Sequence, residues 1–244
     1  MGAEPRSIAD PVPLAVRTSD LPHRLLSAGG MLAVAAIAVG VGGRVLDAFI
    51  ALVALAAFGE FVRLVLRATP SLALRAAAVA FGLAYFGAAA AILIGAGTFL
   101  LIMVVGITVF TDTGAYFAGR TIGGPKIAPS ISPSKTWAGL AGGMAASVAW
   151  VFLWVMAIDG PLAWPRFELG LNLSVQNVTG AIALGAAMAV VAQAGDFFES
   201  WLKRKAHVKD SSRLIPGHGG VFDRIDGLIP VVLVAGALAQ AMVV

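Results

Sequence analysis

Seven apolar runs divide this chain, and they leave few architectures open. They are about Leu25 to Val41, Val45 to Phe61, Ala76 to Ile94, Thr98 to Phe110, Trp137 to Ile158, a run opening at Val178, and Leu228 to Val244. A helix rises about 1.5 Å per residue, so roughly 20 residues cross a hydrocarbon layer about 30 Å thick. Amides placed in lipid must be satisfied inside the protein, which leaves helices or a closed barrel. A barrel reads as short segments of alternating polarity, whereas these runs are long and continuous. Composition agrees: charged residues are 12% of the chain, against about 25% in an ordinary globular domain, and mean hydropathy is +0.91. The expected fold class is all-α, a polytopic transmembrane helical bundle of about seven spans.

The same composition removes several kinds of chemistry. With no cysteine, disulfides, thiolate catalysis and cysteine-bound zinc are excluded. Three histidines are too few and too scattered for a histidine metal site. The net charge of +4 does not mark a nucleic-acid partner. Its distribution points to membrane orientation instead. With seven spans and an inner N-terminus, fifteen of the seventeen basic residues fall inside, and Arg44 and Arg166 fall outside. That asymmetry sets orientation.

In chain order, residues 1–24 are polar and proline-bearing and read as a cytoplasmic tail. The first run reads as an uncleaved anchor. In the second, Asp47 and Glu60 mark the ends, and Glu60 stands three residues before Arg63. That spacing suits a boundary ion pair, or a contribution from Glu60 to a site. Gly95-Ala96-Gly97 predicts a tight outer hairpin. Gly139, Gly142 and Gly143 predict close helix packing. Trp150, Trp154 and Trp164, near the polar loop 159–176, are expected at the membrane interface.

Charge, so scarce elsewhere, gathers between Ala194 and Asp226. Five of the thirteen acidic residues and six of the seventeen basic ones fall there. Asp196, Glu199, Ser200 and Lys203 share one helical face at i, i+3, i+4 and i+7. Arg204, Lys209, Asp210 and Arg213 follow. The run Pro216-Gly217-His218-Gly219-Gly220 cannot be helix interior, and glycine amides can approach a phosphate closely. Asp223, Arg224 and Asp226 close the stretch. Carboxylates, cations and a glycine-rich turn suit phosphate held jointly by magnesium and Lys or Arg. A second polar block adjoins the fourth run. Asp112, Tyr116 and Gly119 share a face, and a Ser/Pro loop carries Ser132, Ser134 and Lys135. Ser132 or Ser134 is expected to cap the next helix, and Lys135 beside that terminus suits a phosphate. All of this lands on the inner side.

The spacing S-x-L-K-R-x4-K-D-x-S-x2-I-P-x-H-G-G-V-x-D-R-I-D from Ser200 to Asp226 resembles the signature of the phosphatidate cytidylyltransferase (CDP-diacylglycerol synthase) family. Gly195-Asp196, Glu199 and the D-T-x-A-Y-x-x-G-R and S-P-x-K-T blocks resemble it too. Many members carry Glu two residues after the Lys-Thr pair; here that position is Ala138. The resemblance implies a single integral-membrane catalytic domain over residues 25–244, in the inner or plasma membrane of a bacterium, as a homodimer. It implies CTP and phosphatidic acid as substrates, CDP-diacylglycerol and pyrophosphate as products, and an active site facing the cytoplasm.

On that reading Asp196, Asp223 and Asp226 are metal ligands for Mg2+, with a second monovalent or divalent cation allowed. Lys203 and His218 act on the phosphates, His218 as a hydrogen-bond donor to pyrophosphate. Asp112, Tyr116, Ser132, Ser134, Lys135, Ser200, Arg204, Lys209, Asp210, Arg213, Gly219, Gly220 and Arg224 are expected to contact substrate. Other classes read the residues differently. Asp223, Arg224 and Asp226 could form a structural ion-pair knot. A sibling enzyme would act on another lipid phosphate. A transporter would place its ionisable groups near the midplane, whereas these lie at one face. A lipid-binding scaffold needs basic clusters but no ordered carboxylates.

Overall fold

The computed structural model describes residues 21–159 and 178–243. The expected tail, the loop holding Trp164 and Arg166, and most of the N-terminal arginines lie outside the described residues. Helix α1 (Leu21–Val41) is followed at once by α2 (Gly43–Ala68). Gly42, at φ 66°, supplies the left-handed backbone that breaks one helix from the next at little steric cost. The second apolar run is therefore longer than its composition suggests, and Glu60 sits well inside α2 rather than at its end. Arg75 closes the α2 terminus. Its guanidinium donates to the Leu66 carbonyl at 2.7 Å and the Thr69 carbonyl at 2.8 Å, two acceptors near a helix end that lack helical partners.

Helix α3 (Leu72–Thr121) is continuous by hydrogen bonding except at Gly97, where φ is 73° and ψ −171°. A straight rod would hold Phe86 and Asp112 about 40 Å apart. Yet Phe86 packs 5.3 Å from the Phe222 ring, Gly195 abuts the Asp226 carbonyl, and Asp112 shares a cavity with Asp196. The chain folds back at Gly97, at the expected hairpin, and α3 is two antiparallel halves.

A short hairpin follows, β1 (Lys126–Ala128) against β2 (Ser132–Thr136). It is a departure from an all-helical chain, in a stretch expected to be loop. It delivers the chain into α4 (Trp137–Asp159). The cap there is neither Ser132 nor Ser134. The Thr136 hydroxyl accepts the Gly139 amide at 3.0 Å, because Thr136 stands immediately before the first helical residue. Helix α4 lies antiparallel to the second half of α3. A Cβ on Gly142 would meet Ala118 and stand 2.7 Å from the Gly114 carbonyl, and one on Gly143 would stand 3.0 Å from that of Thr111. The small residues therefore let the backbones touch. Trp150 belongs to the same contact: its indole N–H donates to the Met103 carbonyl at 3.0 Å. Its ring fills the space beside Gly106, so it packs the two helices together.

Helix α5 (Val178–Lys205), the single turn α6 (Phe222–Ile225) and α7 (Leu228–Val243) complete the chain. Phe61, Phe86 and Phe222 pack with ring centroids 5.3 to 6.1 Å apart. They form an apolar floor under the polar segment between α5 and α7. Among the described residues four helices are long and apolar enough to cross a membrane, α3 counted as one. The protein is a helical membrane protein.

Candidate active site

The C-terminal end of α3, the β hairpin and the last turns of α5 enclose a cavity of about 460 Å3. Helical spacing puts Asp112, Tyr116 and Gly119 on its α3 wall, β2 contributes Ser134, Lys135 and Thr136, and α5 contributes Gln193 and Asp196. Lys135 reaches across: its Nζ stands 2.5 Å from Asp196 Oδ2 and donates to Gln193 Oε1 at 3.5 Å. The Ser200 hydroxyl, one turn further along α5, donates to Asp196 Oδ1 at 3.2 Å. At the rim the Arg120 guanidinium donates to the Tyr116 hydroxyl at 2.6 Å. Ser132 is buried within the hairpin opposite Ala128 and does not line the cavity.

Asp226 lies behind Asp196. Its Oδ1 accepts the Gly227 amide at 2.8 Å. Burial, then the nearby charge of Asp196 and, more weakly, that of Asp112, pushes its carboxyl up to about 7. Three carboxylates therefore stand close enough to repel, with Lys135 as their nearest cation. That is an arrangement short of positive charge.

Asp223 belongs to a different neighbourhood. Lys203 Nζ stands 2.7 Å from Asp223 Oδ1 and 2.5 Å from Glu199 Oε2. The amides of Ser211 and Gly220 donate to Asp223 Oδ2 at 2.9 and 2.8 Å. Burial pushes the Asp223 carboxyl up, but its hydrogen bond with Glu199, then the Lys203 ammonium and the Gly220 amide, outweigh that and hold it below the usual range. Among the described residues no three His, Cys, Asp or Glu side chains gather as a metal site. The expected trio is thus divided. Asp196 and Asp226 lie together, while Asp223 is held by protein donors in a buried ion-pair knot. Arg224 takes no part in that knot; it donates to the His218 carbonyl at 3.1 Å.

Glu60 holds the knot from below. It is 6% exposed, and its Oε1 accepts the Ser212 hydroxyl at 2.6 Å and the Val221 amide at 3.0 Å. Its Oε2 accepts the Phe222 amide at 2.7 Å. The Ser211 hydroxyl stands 2.9 Å from Glu60 Oε2 and 2.8 Å from Asp223 Oδ2, so its one proton is shared between two carboxylates. Glu60 makes no ion pair with Arg63. The two are neighbours on one helix, but four donors from a segment some 150 residues away in sequence claim the carboxylate first. The acid in an apolar run was a signal that it contributes here; its partners were not readable.

The glycine turn also differs from expectation. A Cβ on Gly220 would collide with Ser211 and Glu60, so this glycine is required by close packing, with its amide given to Asp223. Gly219, at φ 82°, turns the chain. His218 Nδ1 pairs with the Ser27 hydroxyl of α1 at 2.9 Å. Arg204 donates to the Ile131 carbonyl at 3.3 Å and thereby ties α5 to the hairpin. Lys209, Asp210 and Arg213 are exposed. Sequence reasoning missed Gln193 and Thr136; Gln193, three residues before Asp196, carried the helical spacing that could have found it.

A family model described as Cytidylyltransferase family matches residues 74–242. The chain belongs to the cytidylyltransferase family. That match takes in both halves of α3, the hairpin, α5 and the whole Ser200–Asp226 segment. Curated relatives agree. Proteins named phosphatidate cytidylyltransferase from Brucella suis biovar 1, Haemophilus influenzae and Pseudomonas aeruginosa are similar to this one. The Brucella protein is 46% identical over 119 residues, 49% of this chain and 38% of that protein. The Haemophilus protein is 42% identical over 132 residues, 54% and 42% respectively. The Pseudomonas protein is 43% identical over 143 residues, 58% and 48%. The match to this cytidylyltransferase-family chain thus spans less than half the length of each of these relatives.

Proposed function

We propose that this protein transfers the cytidylyl group of CTP to phosphatidic acid, releasing pyrophosphate and forming CDP-diacylglycerol. What carries the reading is the cavity where Asp112 and Asp196, from two helices, meet Lys135 from the hairpin. The family membership and the names of the relatives support it.

The chemistry needs no protein nucleophile. A lipid phosphate oxygen is already an anion. It attacks the α-phosphorus of CTP, the bond from that phosphorus to the oxygen bridging the β-phosphate breaks, and pyrophosphate leaves with the electron pair. The difficulty is bringing two polyanions together, which is a matter of neutralisation and positioning. Lys135 stands where a polyphosphate would replace Asp196 as its partner. Asp112 and Tyr116 line the wall a nucleotide would rest on. Lys203 and Asp223 form the ion-pair knot beyond the cavity, and Arg204 holds the hairpin against α5. Magnesium is commonly held through one or two carboxylates plus substrate phosphates. Asp196 and Asp226, close together and poorly neutralised, fit that donor set and would hold it, with Asp112 alongside. When bound, it supplies Lewis-acid neutralisation of phosphate charge.

Seven spans follow if the halves of α3 each cross and α1 and α7 are counted, with the protein a homodimer in a bacterial inner membrane. The site then faces the cytoplasm and the C-terminus faces outward. A reporter fused after Val244 is expected to report from the outer side; a cytoplasmic signal there would mean an even number of spans. Direct attack requires both substrates to be bound before pyrophosphate leaves. Initial-rate kinetics are therefore expected to give intersecting lines. Parallel lines, or a cytidylylated protein isolated after CTP alone, would contradict the mechanism.

A further inference from the structure

A second cavity, of about 490 Å3, opens on the other side of Glu60 and is walled by Arg63 of α2 and Arg213. Ala56, Ser212 and Leu214 also line it. Among the described residues neither guanidinium has a hydrogen-bond or ion-pair partner. Glu60 borders the cavity, but its oxygens are taken by four donors and it forms no ion pair with either guanidinium. Two unpaired cations around one space favour a dianion, and guanidinium geometry matches phosphate oxygens.

The approach to the cavity is apolar. Leu52, Leu55, Ala56, Gly59, Arg63 and Leu66 recur at spacings of three and four, which is one face of α2. On that face Leu52 and Leu55 are each 66% exposed and Leu66 48%. Bare leucines on a membrane-length helix, set to either side of Arg63 with Arg213 facing it across the cavity, match an amphiphile with acyl chains and an anionic head. Glu60, on the cavity's edge, is linked to Asp223 through the Ser211 hydroxyl.

We propose that this cavity is a holding site for the phosphomonoester head of a lipid, with Arg63 and Arg213 as its ligands, on the far side of the Glu60–Asp223–Lys203 knot from the reacting centre. The proposal rests on the lipid-phosphate reading above and adds a place where that substrate docks before transfer.

The test is native mass spectrometry of the detergent-solubilised full chain with dioleoylphosphatidic acid as probe. Arg63→Gln/Arg213→Gln is expected to retain one fewer lipid than the unaltered protein, and Arg63→Lys to retain it in part. Because both arginines are exposed, melting temperatures should be unchanged. In turnover assays the double variant is expected to raise KM for the lipid roughly tenfold and leave KM for CTP unchanged. Equal retention by the double variant would overturn the proposal, as would equal retention of dioleoylphosphatidylglycerol, which would mark a general anionic-lipid contact. Asp196→Asn, impaired in transfer, is expected to retain the lipid fully. The binding comparison therefore stands even if cytidylyl transfer to phosphatidic acid is not the reaction.

Discussion

Asp196→Asn is expected to lower turnover by about three orders of magnitude, some 4 kcal/mol of transition-state stabilisation, in a protein that stays folded and membrane-inserted. Asparagine keeps the shape and can still accept the Ser200 hydroxyl that Asp196 accepts at 3.2 Å. What it loses is the charge that draws a hard cation and pairs with Lys135. Both partners of that pair are partly exposed, at 16% and 31%, so the freed ammonium can turn to water, and an exposed pair is worth at most about 1 kcal/mol. The melting temperature should move little. Asp223→Asn offers the contrast. Its amide would face donors that now find acceptors, at a carboxylate 8% exposed against 31% for Asp196. Loss of both stability and activity is expected, on the order of 3 kcal/mol for the break in a buried pair. Specific activity and detergent melting temperature, measured side by side, separate the two. A fully active Asp196→Asn protein would remove the carboxylate pair from the account.

Glu60→Ala is expected to be the most damaging single change outside the Ser200–Asp226 segment, costing about 3 to 5 kcal/mol. Removing a buried charged acceptor strands its donors: the Ser212 hydroxyl and the amides of Val221 and Phe222. Those amides open the short turn that carries Asp223 toward Asp226. The Ser211 proton, now shared, would pass to Asp223 alone. The segment from Ser211 to Phe222 is therefore expected to become accessible to protease. Limited proteolysis with mass readout checks this. Glu60→Gln, which replaces one acceptor oxygen with a donor, should show the same cleavage to a lesser degree. An uncut, fully stable Glu60→Ala protein would mean that the four hydrogen bonds contribute nothing.

Much of this architecture was legible because lipid leaves the backbone so few options. Each apolar run became a helix, and the Gly95-Ala96-Gly97 turn became the reversal of α3. Gly142 and Gly143 became close packing, because a missing Cβ between apolar runs has few other uses. The gathering of Asp112, Lys135 and Asp196 in one cavity was implied by two polar blocks expected on one side of the membrane. What escaped was side-chain pairing over long separations. Asp223 and Asp226 stand three apart in sequence, and adjacency suggested a shared ligand. They flank a single helical turn, yet Asp223 is taken by Lys203 and the Ser211 and Gly220 amides, while Asp226 feels Asp196 and Asp112. Gly220 read as a phosphate contact because glycine amides are good donors, yet its amide is used by Asp223 and its missing Cβ makes room for Glu60. Trp150 read as an interfacial aromatic, but the cleft left by Gly106 takes its ring. In each case local pattern gave the residue's conformation or class, and a distant partner decided its role.

The decisive property of the site is where it sends the cytidylyl group. The direct measurement is to supply the purified protein with magnesium, CTP labelled at the α-phosphate, and a panel of lipids: phosphatidic acid, other lipid phosphates and a neutral diacylglycerol. The account predicts label in a lipid product with phosphatidic acid, one pyrophosphate released for each label transferred, and none with diacylglycerol. Transfer to another lipid phosphate but not to phosphatidic acid, or no transfer to any of them, would contradict it.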